Sequence, residues 1–265
     1  MGRFDGKLMV SDMDATLLDS SHRVSDQNRE AIEYFISEGG RFTVATGRMV
    51  PAVRAYFSQM RINAPALLHN GAKIYDFETE TALFEKFIEE PRKEAIRRVH
   101  DELPELGLEV YADEKVYIYR ACSETERFKT RSYEVIYSMP DEVWSRPWIK
   151  ALLIGERELL DKYEPVYRRC YDSGYSVRSG DMYLDVVANG VSKGKALTAL
   201  AAMLGIGREN IYAVGDNMND IDMLKAAGHS FAVENAEGEV KAAADRIVPS
   251  CENSAAAYII ENLIS

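Results

Sequence analysis

The sequence predicts an α/β fold: a mostly parallel sheet with helices on its faces, into which a second, α+β domain is inserted. Two observations predict it. Strand-like apolar runs alternate with helix-like runs at both ends of the 265-residue chain, the pattern of a parallel sheet built from βαβ units. The middle of the chain differs, with long polar helices between alternating strands. Ten of the fifteen tyrosines and both tryptophans, Trp144 and Trp148, fall there.

The elements run in order along the chain. Residues 7–10 read as a short buried strand. Ser25 is placed to cap a helix over 25–36, with Ile32, Phe35 and Ile36 at helical spacing and Gly39-Gly40 as its stop. Residues 41–45 form the next strand and 49–59 the next helix. In the middle, 92–103 and 156–171 read as helices, and 115–120 and 149–154 as strands. Residues 193–204 are strongly helical and closed by Gly205, after which 211–214 is strand, 221–227 helix and 230–233 strand. The composition shift sets the domain bounds: residues 1–82 and 188–265 build one discontinuous domain, and 83–187 the inserted one.

Charge narrows the function. With 32 Lys+Arg against 43 Asp+Glu, the net charge of −11 argues against a nucleic-acid binder or a membrane-surface protein, since both need basic surface. The apolar run Leu8-Met9-Val10 is too short for a signal-peptide core, and no later run reaches the roughly 18 residues of a spanning helix. Cys122, Cys170 and Cys251 are far apart, with neither metal nor disulfide spacing. A cytoplasmic location is expected.

The chemistry lies in the residues just past the predicted strands. The first strand runs into Ser11-Asp12-Met13-Asp14-Ala15-Thr16, the second into Thr46-Gly47-Arg48, and a late one into Gly215-Asp216-Asn217-Met218-Asn219-Asp220. In an open parallel sheet, ligands bind outside the carboxyl ends of the strands, where such tips converge. Any one tip could be an ordinary Asp/Asn/Gly turn; three together are harder to dismiss. Asp12, Asp14 and Asp216 on one edge repel unless a cation lies between them: two charges about 4 Å apart interact by about 4 kcal/mol at an effective dielectric of 20. A hard ion with oxygen ligands resolves that, and magnesium is expected, because His22, His69, His100 and His229 are scattered. Asp12 and Asp14, two apart on an extended segment, project the same way. One can attack phosphorus while the other handles protons. Thr46 and Lys193 would then hold the transferring phosphoryl oxygens.

These residues resemble the four motifs of the haloacid dehalogenase superfamily, in that family's order: Asp12-Met13-Asp14-Ala15-Thr16-Leu17-Leu18, Thr46-Gly47-Arg48, Lys193 within Val191-Ser192-Lys193-Gly194, and Gly215 to Asp220. The long separation of Arg48 from Lys193, with His69-Asn70-Gly71-Ala72 and Ala232-Val233-Glu234-Asn235-Ala236, looks like the Cof-type phosphatases with a large α/β cap. The resemblance implies a Rossmann-like core with an inserted α+β cap domain. It implies Asp12 as nucleophile and magnesium ligand, and Asp14 as general acid/base lending its carbonyl to the metal. Thr46, the Gly47 amide and Lys193 would bind phosphate, Asp216 would be the second metal carboxylate, Asn219 a phosphate-side contact, and Asp220 a group orienting Lys193 or a metal-bound water. Arg48 is left as a surface cation or a substrate contact. Ala15 stands where the family usually has Gly; if the position needs positive φ, the loop is strained by about 1–2 kcal/mol.

The expected activity is a magnesium-dependent phosphatase of small phosphorylated metabolites, foremost sugar phosphates. The alternatives are a phosphomutase of the same superfamily, a non-catalytic phosphate-ligand-binding module, and an acidic interaction protein using the aromatic-rich middle domain. Specificity would come from that domain, with Tyr117, Tyr119, Arg178, Asp181 and Tyr183 as candidates that ordinary packing explains as well.

Overall fold

Four consecutive buried residues, Leu8–Ser11, form the first strand, β1; covered on both faces, it is apolar throughout but for the last residue, as a central parallel strand must be. A computed structural model describes residues 2–130 and 133–264. After β1 come α1 (Asp26–Ser37), β2 (Arg41–Val44), α2 (Val50–Arg54), β3 (Ala66–Leu68), β4 (Lys73–Asp76) and β5 (Thr81–Glu85). The chain continues with α3 (Glu90–Glu102), β6 (Gly107–Ala112), β7 (Lys115–Arg120), β8 (Val135–Ile136), β9 (Lys150–Ile154), α4 (Arg157–Val166), β10 (Ser176–Arg178) and β11 (Tyr183–Val187). It closes with α5 (Lys193–Leu204), β12 (Ile211–Gly215), α6 (Ile221–Ala226), β13 (His229–Val233), α7 (Gly238–Ala243), β14 (Arg246–Val248) and α8 (Ala255–Asn262).

Two compact units result. One comprises Met1–Arg48, Val53–Phe84 and Ser192–Ser265; the other Met49–Ala52 and Glu85–Val191. The first is built on a five-stranded sheet in the order β14-β13-β12-β1-β2, parallel throughout. A small sheet, β3-β4-β5, belongs to the same part of the chain. This is the Rossmann-like α/β core. β1 lies between β2 and β12, so the chain leaves it towards opposite edges of the sheet, and that reversal opens a crevice at the carboxyl ends of the strands. The register sets Ser11 beside both Val44 and Val214. Residues just beyond those three positions therefore emerge at one level.

Local signals position the helices. Ser25 accepts a hydrogen bond from the Asn28 amide at the start of α1, and Ser192 accepts one from the Lys195 amide at the start of α5. α5 ends on Gly205 at φ 67, the left-handed cap that favours glycine. The helix expected over 49–59 is shorter: only Val50–Arg54 is helical. Beyond it, the Phe57 amide reaches back to the Arg54 carbonyl and the Gln59 amide to the Tyr56 carbonyl, tight three-residue turns. Phe57 packs edge-on against Phe77, with ring centroids 4.8 Å apart. Packing of that ring wins over a sequence with weak helix preference.

The inserted unit is α+β, with a six-stranded sheet ordered β10-β11-β9-β6-β7-β8. Its aromatic enrichment fills its own core: Trp148, Tyr117, Tyr163 and Tyr167 cluster with Val110 and Leu153. The Trp148 ring nitrogen donates to the Val143 carbonyl at 2.8 Å, which satisfies its polar end. Among the described residues, no helix is long and apolar enough to cross a membrane.

Candidate active site

Asp12 comes directly after β1, with its amide donating to the Val214 carbonyl of β12 at 2.9 Å. Asp216 comes directly after β12, and Lys193 is the first residue of α5. The buried Lys193 ammonium donates to Asp12 Oδ1 and to Asp220 Oδ1, both at 2.6 Å. Oxygens of Asp12, Asp216 and Asp220, all buried, lie within 4.8 Å of one another. Asp220 is fully engaged: its other oxygen accepts from the backbone amides of Asp216 and Asn217, each at 3.0 Å. It therefore fixes the loop and holds Lys193. Asp216 Oδ1 accepts from Thr16 Oγ1 at 2.6 Å.

Charge accounting shows what the cluster lacks. Burial pushes the Asp12 carboxyl well above its ordinary range; Lys193 opposes that, while Asp220, Asp216 and Asp14 add to it. Burial, reinforced by Asp220, pushes Asp216 up to about 7 despite the Thr16 hydrogen bond. Lys193 is raised as well: burial disfavours its charge, but Asp12 and Asp220 outweigh that and hold the ammonium protonated. Three buried carboxylates thus share one cation. The donors are all oxygen, two of the acids resist ionisation for want of positive charge, and a hard divalent ion fits both facts. Asp12 and Asp216 are the carboxylates free to hold it, since Asp220 is spent on Lys193 and two amides.

Asp14 stands apart from this cluster. Its carboxylate receives a two-pronged bond from Arg48, Nε to Oδ2 at 2.8 Å and Nη2 to Oδ1 at 2.5 Å. Desolvation pushes the Asp14 carboxyl up, but the guanidinium's hydrogen bonds and charge prevail and hold it below the usual carboxylate range. Arg48 is itself pinned, 5.0 Å above the Tyr56 ring, with Nη1 3.3 Å from the Tyr56 hydroxyl. Arg48 is therefore neither a loose surface cation nor, in this arrangement, a free substrate contact.

The turn just after the two acids is strained. Ala15 has φ 58, the left-handed region that costs an L-residue about 1–2 kcal/mol. Its carbonyl accepts from Asn235 Nδ2 at 2.7 Å, and Asn235 Oδ1 accepts from the Cys251 amide. The segment 232–236 thus helps to hold the loop between Asp14 and Thr16.

The remaining positions are placed by the loop after β2. Thr46 is buried, with its hydroxyl accepting from the Arg48 amide at 3.2 Å. A Cβ built on Gly47 would lie 3.3 Å from Asn70 Oδ1, so the backbone there is approached closely. Asn219 is buried and donates to Asn70 Oδ1 at 3.0 Å. In the inserted unit, Tyr117 is core, Arg178 is bound by Glu164 and Asp161, and the Tyr183 hydroxyl donates to Glu124. Sequence reasoning missed the Arg48 clamp and the parts of Thr16, Asn70 and Asn235. The motif 69–72 and the segment 232–236 were visible signals, but partners two hundred residues away were not.

A family model for haloacid dehalogenase-like hydrolases matches residues 9–260. The chain is 27% identical over 290 residues to the 5-amino-6-(5-phospho-D-ribitylamino)uracil phosphatase of Bacillus subtilis, with 98% of each chain covered. A haloacid dehalogenase-like hydrolase from B. subtilis superposes with a TM-score of 0.85 at 26% identity, covering 97% of this chain and 99% of the other. A subclass IIB sugar phosphatase shares the fold with a TM-score of 0.83 at 20% identity, over 96% of this chain and 98% of its own.

Proposed function

The chain belongs to the haloacid dehalogenase-like hydrolases and is a phosphatase, and from that premise we propose that it is a cytoplasmic, magnesium-dependent hydrolase of small phosphorylated metabolites, foremost sugar and polyol phosphates. The observation that carries the reading is the buried Lys193 ammonium between Asp12 and Asp220, beside Asp216, at the carboxyl ends of β1 and β12. The relative that acts on a phosphorylated ribityl chain supports the substrate class, and the unpaired cysteines suit a reducing compartment.

Asp12 is the nucleophile. Its carboxylate oxygen attacks phosphorus, and the bond to the substrate's alcohol oxygen breaks. Asp14 delivers a proton to that leaving oxygen. Asp14 then takes a proton from water, whose oxygen attacks the phosphorus of phospho-Asp12, releasing inorganic phosphate and restoring the carboxylate. Lys193, the Thr46 hydroxyl, the Gly47 amide and Asn219 hold the phosphoryl oxygens throughout. Asp220 orients Lys193. A magnesium ion held by Asp12, Asp216 and the Asp14 carbonyl would supply the charge that lets two anions meet. The Arg48 pair favours the ionised Asp14 that serves as base; the proton Asp14 then takes from water is the one it delivers in the next turnover, for which Arg48 must loosen its hold.

Release of inorganic phosphate from an aryl phosphate, with and without magnesium, tests this on the wild type and Asp12→Asn. Magnesium-dependent release lost in the folded variant supports the reading. Wild-type turnover in Asp12→Asn overturns it.

A further inference from the structure

Buried amides are almost always hydrogen-bonded, so one that is not calls for a reason. Asn70 Nδ2 and Asn219 Oδ1 are both buried without a partner, although the two side chains touch through the other ends of their amides. Asn70 has 1% of its surface exposed. The backbone beneath it is also unusual: His69, Asn70 and Gly71 have φ of 50, 56 and 91 in succession. Left-handed non-glycine residues are strained and gather where function over-determines the backbone.

The surroundings of this turn point to its purpose, for it packs against the loop after β2, the start of α5 and, through Asn219, the loop after β12. The Asn70 amide donates to the Thr46 carbonyl at 3.0 Å, and the His69 amide to the Arg48 carbonyl. A Cβ on Gly71 would lie 2.3 Å from the Ser192 carbonyl, next to Lys193, so only glycine fits there. Asn70 Nδ2 itself stands 3.5 Å from the Cβ position of Gly47. The orphaned donor therefore sits among the groups assigned to the transferring phosphoryl group.

We infer that Asn70 is a phosphate-binding residue, donating from Nδ2 to a phosphoryl oxygen beside the Gly47 backbone. The inference rests on the phosphatase reading and adds a fourth loop to its anion site. Asn70 Oδ1 keeps the Asn219 amide turned with its own oxygen away from that bond, so the pair orients both side chains. The left-handed turn fixes Asn70 before substrate arrives, which spares the ordering cost on binding.

Two variants separate binding from scaffolding. Asn70→Asp keeps the shape, the tolerance of left-handed backbone and the acceptor for Asn219, and replaces the donor with an acidic oxygen that repels phosphate when ionised. Asn70→Gly removes the amide and relaxes the backbone. Binding of inorganic phosphate, titrated calorimetrically with magnesium present, is expected to weaken at least tenfold in Asn70→Gly and further in Asn70→Asp. The melting temperature of ligand-free Asn70→Gly should not fall below wild type. Phosphate affinity in Asn70→Asp within threefold of wild type overturns the inference, as does a weakened Asn70→Gly that melts lower. Wild type that binds no phosphate would overturn the phosphatase reading itself; wild-type binding with unchanged variants overturns only the role of Asn70.

Discussion

Asp216→Asn should make the metal-free protein more stable, and more so as pH rises. The wild-type carboxyl is pushed from an ordinary 3.8 up to about 7, so the folded chain binds that proton more tightly than the unfolded chain does. The contribution of such a group to stability falls as pH climbs from about 4 to 7 and stays low beyond. Three units at 1.36 kcal/mol each come to about 4 kcal/mol at pH 8, and about 1–2 kcal/mol of that is already present at pH 5. Asparagine carries no charge and still offers an oxygen to the Thr16 hydroxyl, which bonds Asp216 at 2.6 Å. In a chelator, urea unfolding should give the variant an advantage that grows by about 2–3 kcal/mol between pH 5 and pH 8. At pH 8 the melting temperature should rise by about 8 °C or more. Magnesium should reverse the order, raising the wild-type midpoint by mass action and leaving the variant almost unmoved. A variant less stable than wild type at pH 8 without metal, or one that magnesium stabilises equally, would refute the argument from unbalanced charge.

The same geometry makes two further outcomes measurable. Ala15→Gly relieves a left-handed alanine worth about 1–2 kcal/mol and gives back about 0.4–1 kcal/mol through a looser unfolded chain; urea unfolding should show a net gain, and a loss would mean the turn is not strained. Arg48→Met should lower kcat/KM for an alkyl phosphate at least tenfold and for p-nitrophenyl phosphate less than threefold. On the proposed mechanism the alkyl alcohol needs a proton from a well-oriented Asp14 to leave, while the nitrophenolate does not. Equal losses on both substrates would make Arg48 a phosphate ligand instead.

Much of the core was legible in the sequence, for a physical reason. A central parallel strand must be apolar on both faces and must end where polar residues begin, so the runs ending at Val10, Ala45 and Val214 declared both the sheet and its tips. The inserted unit announced itself by a changed rhythm and by aromatics that pack on one another. The pairing of charges was less legible. That Asp220 bonds two amides and a lysine, or that Arg48 grips Asp14 from the next strand tip, depends on where loops land in space, and residue order carries no record of it. Ala15 could be weighed only conditionally, because its cost turns on one dihedral. The overlong helix at 49–59 failed where Phe57 found Phe77, a tertiary contact that outweighed local preference.

The bond from Thr16 to Asp216 spans 200 residues and that from Lys193 to Asp12 spans 181. During synthesis Asp12, Asp14 and the β2 tip all emerge long before Lys193, and a whole second unit is made in between. Until β12 docks beside β1, Asp12 has neither Lys193 nor Asp216 near it, and an exposed aspartate is an ordinary one. Closure of so long a loop carries a large entropic cost that only the finished sheet repays. On the proposed mechanism, catalytic competence is therefore a late event in folding, and a chain stopped after the inserted unit would have the proposed nucleophile, Asp12, and no means to use it.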